Sequence, residues 1–157
     1  MNDDFNTPIV ISHLFEAAKI INGAADGKVL MTVQQEDISA ILADGFTMPE
    51  VFKAKGRDGK TDIWGTIFRP SNFDPKKTYP VVEYIYAGPH DSHVTKDFYG
   101  LMRFSRLLEL GFIVVTIDGM GTDNRSKSFQ YEAWRNLKDA GFPDRILWMQ
   151  AAAKKYK

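Results

Sequence analysis

Two short runs with few polar residues, Val81 to Ala87 and Phe112 to Ile117, bracket a segment of different character. Between them, Leu101, Phe104 and Leu108 recur at helical spacing over Phe98 to Leu110, and Gly111 follows where a helix would close. Apolar runs without alternation fit strands covered on both faces. Two parallel strands need a long crossover, normally a helix, to bring the chain back to the same end of the sheet. The three segments therefore predict a strand–helix–strand unit over residues 81–117.

Upstream, Val51 to Lys55 and Thr61 to Arg69 read as strands. Gly56-Arg57-Asp58-Gly59 between them reads as a hairpin turn, because Asp and Gly tolerate the positive φ such turns need. Downstream, Ser128 to Leu137 and Pro143 to Tyr156 read as helices. Asp144 favours the start of the last one, and Lys154, Lys155 and Lys157 favour its end. The expected fold class is α/β: a mostly parallel sheet with an antiparallel N-terminal hairpin, ending on a helix with no strand after it. Residues 1–34 are weakly patterned, with short strands at Ile9 to Ile11 and Val29 to Gln34 and a helix at Leu14 to Ile21. Asp37 is placed to cap a short helix carrying Ile38, Ile41 and Leu42, which Asp44-Gly45 ends. The expected division is 1–34 and 35–157.

Composition excludes several function classes. Twenty basic and twenty acidic residues leave a formal charge of zero, without the basic excess that binding to nucleic acid or an acidic membrane surface demands. A 44% hydrophobic content across 157 residues suffices for one core and argues against disorder. The longest apolar runs are four residues, such as Phe112 to Val115, too short for a transmembrane helix. Met1-Asn2-Asp3-Asp4 is acidic and lacks the basic start and apolar stretch of a signal peptide. The absence of cysteine removes disulfides, thiolate metal sites and Cys nucleophiles, and leaves the compartment unknown.

Several motifs are near misses. Ala54 to Thr61 almost spells a phosphate-binding loop, but the first required Gly is Ala54, and a strand follows where a helix is needed. Gly119-Met120-Gly121 follows a strand, but the third Gly of a dinucleotide fingerprint is replaced by Asn124, so a tight turn at the sheet rim is the better account. His90, Asp91 and His93 form a polar cluster. Without Cys, and with no further ligand at convincing spacing, a solvated loop is preferred over a metal site. His13 has no sequence partner. Ser12, Ser39, Ser71, Ser92, Ser105, Ser126 and Ser128 all lack the Gly-x-Ser-x-Gly context of a nucleophile on such a sheet. Tyr86 stands where a buried strand emerges into a loop, so its hydroxyl could donate into a site. Spacing alone favours the alternative, a core residue with a satisfied hydroxyl.

Tyr86-Ala87-Gly88-Pro89 together with Asp118-Gly119-Met120-Gly121 resembles the prolyl oligopeptidase family of serine peptidases, in particular its dipeptidyl-peptidase IV branch. Supporting strings are Gly56 to Gly65, Phe73 to Pro80 and Asn136 to Gly141, so the resemblance runs from about Glu50 onward. It implies an α/β-hydrolase fold, with residues 35–157 as the N-terminal half of the peptidase domain. Residues 1–34 would then be the end of a preceding β-propeller. It implies that Tyr86 donates its hydroxyl to the oxyanion hole, beside the backbone N–H of the residue after the nucleophile. Met120 departs from the Arg usual at its place, which removes any charge contact from that position. The implied partner is a peptide substrate, with no metal and no cofactor, since the chemistry is acyl transfer through a serine ester. Relatives of this kind are often periplasmic or extracellular.

The resemblance also implies that this stretch lacks the Ser, Asp and His of the triad, which follow in that order beyond strand five. The chain alone is then expected to be inactive, a fragment of a serine exopeptidase. Val81 to Ala87 would be an open apolar edge, inviting homo-oligomers or aggregation. Two alternatives remain: a non-catalytic α/β module that binds partners through that edge, and part of an esterase-type α/β-hydrolase.

Overall fold

A computed structural model of the chain describes residues 37–86, 88–94 and 99–156. The chain divides into two units, Met1–Ile38 and Ser39–Lys157, and the fold and the site below lie in the second. The expected elements before residue 35, His13 and the expected propeller end lie outside the described residues.

The second unit begins with a short helix, α1 (Ser39–Ala43), closed by Gly45 at φ +89°. β1 (Glu50–Lys55) and β2 (Asp62–Phe68) form the expected hairpin, antiparallel from Glu50 opposite Ile67 to Lys55 opposite Asp62. The turn between them explains the phosphate-loop likeness. Gly56 N–H bonds Thr61 O at 2.9 Å, and Gly59 takes φ +66°. Asp58 accepts the Lys60 and Thr61 N–H groups at 2.9 and 2.8 Å and the Thr61 hydroxyl at 2.6 Å. An acidic side chain folded back on its own turn leaves no phosphate cradle there.

β3 (Val81–Glu83), α2 (Tyr99–Glu109) and β4 (Ile113–Asp118) make the expected crossover unit, with β3 and β4 parallel. Leu101, Phe104 and Leu108 are buried with Phe68 and Val114, as their spacing requires. Gly111 at φ +85° ends α2, and the N–H groups of Gly111 and Phe112 reach Leu108 O and Leu107 O at 2.9 and 3.1 Å. This is the double hydrogen bond of a glycine-terminated helix.

Three expectations are corrected. The sheet is mixed rather than mostly parallel: its order is β1-β2-β4-β3, and β2 pairs antiparallel with both β1 and β4. Only the strands joined by a helix are parallel, because that connection alone carries the chain back across the sheet. Of the run expected as a strand buried on both faces, 81–87, the described residues Val81 to Tyr86 do not form one. β3 stops at Glu83, and Val81, Ile85 and Tyr86 are 54%, 42% and 50% exposed. β3 pairs with β4 alone among the described strands, so it forms the open edge that the resemblance implies.

The expected helix at 128–137 is broken into α3 (Lys127–Gln130) and two 3₁₀ turns, Tyr131–Ala133 and Leu137–Asp139. Trp134 is extended and Arg135 adopts φ +54°, which interrupts the helical ladder between them. Helix propensity is a weak prior, and tertiary ties override it here. The last helix forms as α4 (Phe142–Lys155), with Pro in its first turn and Lys154 and Lys155 in its last.

α2 and α4 cover opposite faces of the sheet. Phe68 and Val114 face α2, while Ile63, Ile67, Val115 and Ile117 face Trp148 of α4. Trp148 is 1% exposed and donates its indole N–H to Phe52 O at 3.1 Å. It fits because position 65 is glycine: a Cβ there would lie 2.5 Å from Trp148 Cζ2.

Candidate active site

In open α/β sheets, sites lie beyond the carboxyl ends of the parallel strands. Here those ends are Glu83 and Asp118, which places Tyr84 to Tyr86 and Asp118 to Gly121 on one rim. Tyr86 sits on that rim half exposed, and among the described residues nothing bonds its hydroxyl. It is not a core residue with a satisfied hydroxyl. Its ring meets two imidazoles edge-on: His93 at 4.7 Å between centroids and 65°, and His90 at 5.2 Å and 76°.

The loop that follows is tied down at several points. Asp118 is buried, and its two oxygens accept the His93 and Val94 N–H groups at 2.8 and 2.9 Å. Asp123 N–H donates to Asp91 O at 3.2 Å, Asn124 Nδ2 to Ser92 Oγ at 3.2 Å, and Gln130 Nε2 to Pro89 O at 2.6 Å. The cluster expected to be a solvated loop is therefore partly ordered against the turn after β4. His93 Nε2 lies 3.8 Å from Asp91 Oδ2. Among the described residues, no group of three or more His, Cys, Asp or Glu side chains could hold a metal ion.

A cavity of about 370 Å³ opens beside this loop, with Pro89, His90, Met120, Thr122, Leu137 and Gly141 in its lining. Two of the segments that line it approach each other closely. A Cβ on Gly119 would lie 2.8 Å from Gly141 O, so the two glycines let the turn after β4 touch the start of α4. The turn is also bonded through Gly121 N–H to Phe129 O at 2.8 Å, with Gly121 at φ +107°.

Asp139, in the cavity lining, belongs to an ionic network not read from the sequence. Arg57, from the hairpin turn, donates Nη1 and Nη2 to Asp139 at 3.0 and 2.7 Å. Its Nη2 also reaches Asp144 Oδ2 at 2.8 Å, and its backbone N–H bonds Asp144 Oδ1 at 2.8 Å. Asp144 Oδ2 further accepts the Met120 N–H at 2.9 Å. Asp144, expected to act on the helix dipole, is fully buried and joins three segments instead. Hydrogen bonds donated to Asp139, then to Asp144, hold the Arg57 proton more tightly than usual. Arg57 in turn lowers the Asp139 carboxyl. The signal available in sequence was the recurrence of acids at 139 and 144 around Gly141; which cation they face depends on a contact 87 residues away in the chain.

A second buried pair lies under the sheet. Arg145 is 1% exposed, bonds Glu83 and donates Nη2 to Ile117 O at 2.9 Å. Burial raises the Glu83 carboxyl, and Arg145 offsets part of that rise. Ser126 caps α3 by accepting the Phe129 N–H at 3.2 Å, and its Oγ lies 3.0 Å from Ser128 Oγ. Neither geometry includes an activating base.

A family model described as prolyl oligopeptidase family matches residues 99–156, and one described as a DALR domain matches residues 1–53. The chain is 31% identical over 113 residues to dipeptidyl peptidase 8 of Homo sapiens, a span covering 71% of this chain and 12% of that protein. It is 36% identical over 119 residues to a protein named "Probable dipeptidyl-aminopeptidase B" from Trichophyton verrucosum, covering 74% of this chain and 11% of that one. The chain thus spans about an eighth of the length of these curated relatives. Among solved structures, one from Bacteroides ovatus described as a dipeptidyl aminopeptidase IV superposes with a TM-score of 0.60 at 33% identity, covering 65% of this chain and 15% of that one. The mixed sheet with helices on both faces accords with a partial α/β-hydrolase fold of that kind. Residues 99–156, which carry β4 and its turn, match the prolyl oligopeptidase family, and the chain is similar to dipeptidyl peptidases.

Proposed function

We propose that this chain is the opening part of an α/β-hydrolase peptidase domain, and that it supplies Tyr86 as the phenolic donor of the oxyanion hole. The observation that carries the reading is the placement of Tyr86: at the carboxyl end of a parallel strand, half exposed, with a hydroxyl that nothing among the described residues engages. When a serine Oγ attacks a peptide carbonyl, its proton passes to the general base, the C–O π electrons move onto oxygen and a tetrahedral oxyanion forms. A pre-aimed O–H lowers that charge's energy more than it lowers the energy of the neutral carbonyl, so it accelerates the step. As the intermediate collapses, the electrons return, the C–N bond breaks and the amine leaves with a proton from the general acid.

The seven serines of this sequence lack the nucleophile context, so the attacking group and its base and acid come from other residues of the enzyme. The relatives' names point to dipeptidyl release from a peptide N-terminus. The direct test is Tyr86→Phe in the full-length enzyme, with a dipeptidyl chromogenic substrate. Removing one oxyanion donor costs about 10²–10³-fold in kcat. A loss below about threefold would overturn the assignment. The 157 residues alone should not be labelled by a serine-directed fluorophosphonate.

The exposed apolar edge at β3 favours a second reading, a module that binds partners by strand addition. Labelling of the full-length protein by the fluorophosphonate distinguishes the two.

A further inference from the structure

An oxyanion donor works only if its donor atom sits within about 3 Å of where charge develops, and only if it is held there beforehand. A half-exposed tyrosine is poorly suited to that on its own, because exposed side chains change rotamer on the ps–ns scale. Something must restrict the Tyr86 ring.

We infer that His93, fixed by Asp118, is the positioning residue that aims the Tyr86 hydroxyl. The inference rests on the oxyanion reading of Tyr86 and adds how the phenol is held.

The chain of contacts is short and begins on rigid structure. Asp118 is the last residue of β4, paired with Trp64 of β2, and is 7% exposed. Both oxygens of its carboxylate are committed to successive N–H groups, those of His93 and Val94. Hydrogen bonds to a carboxylate are about twice as strong as neutral ones, so the backbone at residue 93 is set relative to the sheet. The imidazole it carries then lies between two tyrosines. It meets Tyr86 at 4.7 Å and 65°, and Tyr84 at 6.2 Å and 69°. These are edge-to-face contacts, which favour one ring orientation over others.

The polar end of this imidazole does not explain its place. Among the described residues His93 Nε2 is buried without a hydrogen-bond partner, and Asp91 Oδ2 stands 3.8 Å off. A buried polar atom left unsatisfied costs free energy, so the site is not built around hydrogen bonding at that nitrogen. What the ring does accomplish is an edge-to-face contact with Tyr86, which His90, in the cavity lining, also makes.

The test is a kinetic cycle in the full-length enzyme with four members: wild type, His93→Ala, Tyr86→Phe and the double variant. Misplacing a catalytic group by about 1 Å can cost up to about 10²-fold, so His93→Ala should lower kcat about tenfold, with KM changed less than about twofold. In the Tyr86→Phe background the same change should cost less than about twofold, because there is no hydroxyl left to aim. His93→Phe, which keeps an aromatic edge, should recover most of the loss. If His93→Ala fails to fold, His93→Leu fills the space without that edge and takes its place in the cycle. A loss at His93 equal in both backgrounds, a rise in KM with kcat intact, or no rescue by Phe would overturn the inference. A Tyr86→Phe loss below about threefold would instead overturn the oxyanion reading on which it rests.

Discussion

The Arg57 guanidinium donates to the fully buried Asp144 carboxylate at 2.8 Å, joining a hairpin turn to the first turn of α4 across 87 residues of sequence. Asp144 also holds the Met120 N–H, and Arg57 also holds Asp139, so one guanidinium ties together β1–β2, the turn after β4 and the approach to α4.

Removing one partner of a buried ion pair leaves the other uncompensated, at a cost of about 3–5 kcal/mol. Arg57→Met should therefore destabilise the chain by about 3 kcal/mol, and Arg57→Lys should recover less than half of that, since a lysine cannot serve both carboxylates in a planar fork. Urea denaturation followed by tryptophan fluorescence measures both. An Arg57→Met variant within about 0.5 kcal/mol of wild type, the range of ordinary surface changes, would contradict this.

Acid should weaken the fold in a defined window. Hydrogen bonds from Arg57 hold the Asp139 carboxyl below its ordinary value of 3.8. The Thr61 hydroxyl, then the Lys60 and Thr61 N–H groups, hold Asp58 down to about 2. With depressed folded values, the unfolded chain takes up protons first, so these contributions are full above the ordinary value and are lost as pH falls through the folded one. Glu83 acts in the opposite sense: its raised value means that burial opposes the ionised form, and this penalty is relieved as pH falls toward 4.5. The urea midpoint should therefore drop below about pH 4, and Asp139→Asn should flatten part of the drop. A midpoint unchanged between about pH 4.5 and 2.5 would refute it.

Gly65→Ala should disturb the core on the α4 face. The new Cβ would stand 2.5 Å from Trp148 Cζ2 and 2.9 Å from Thr116 O. Trp148 is packed edge-on against Phe52 at 5.2 Å and cannot retreat freely. Overpacking of this kind costs about 1–3 kcal/mol. The expected result is a lower melting temperature together with a weaker near-ultraviolet signal from Trp148.

The β3 edge should govern self-association. β3 pairs only with β4 among the described strands, and Val81 is 54% exposed. Val81→Lys places a charge on that edge, the device by which natural sheets resist edge pairing. We expect the 157-residue chain to elute as oligomers on size exclusion, and the variant to shift toward monomer. A wild-type chain that is monomeric at all concentrations would contradict this.

The elements that the sequence determined were those with local causes. The hairpin followed from Gly56-Arg57-Asp58-Gly59, whose turn closes with bonds inside the turn itself. The crossover followed from Leu101, Phe104 and Leu108, which share one face of a helix whatever they pack against. Tyr86 was legible as a candidate through a motif, and its exposure on the rim was not. Other outcomes depended on partners distant in the chain. Whether β2 lay beside β4, where β3 ended, and which cation faced Asp144 were settled only when separate segments packed together. Local spacing fixes which face of an element is apolar; only tertiary packing decides what that face, or a buried charge upon it, meets.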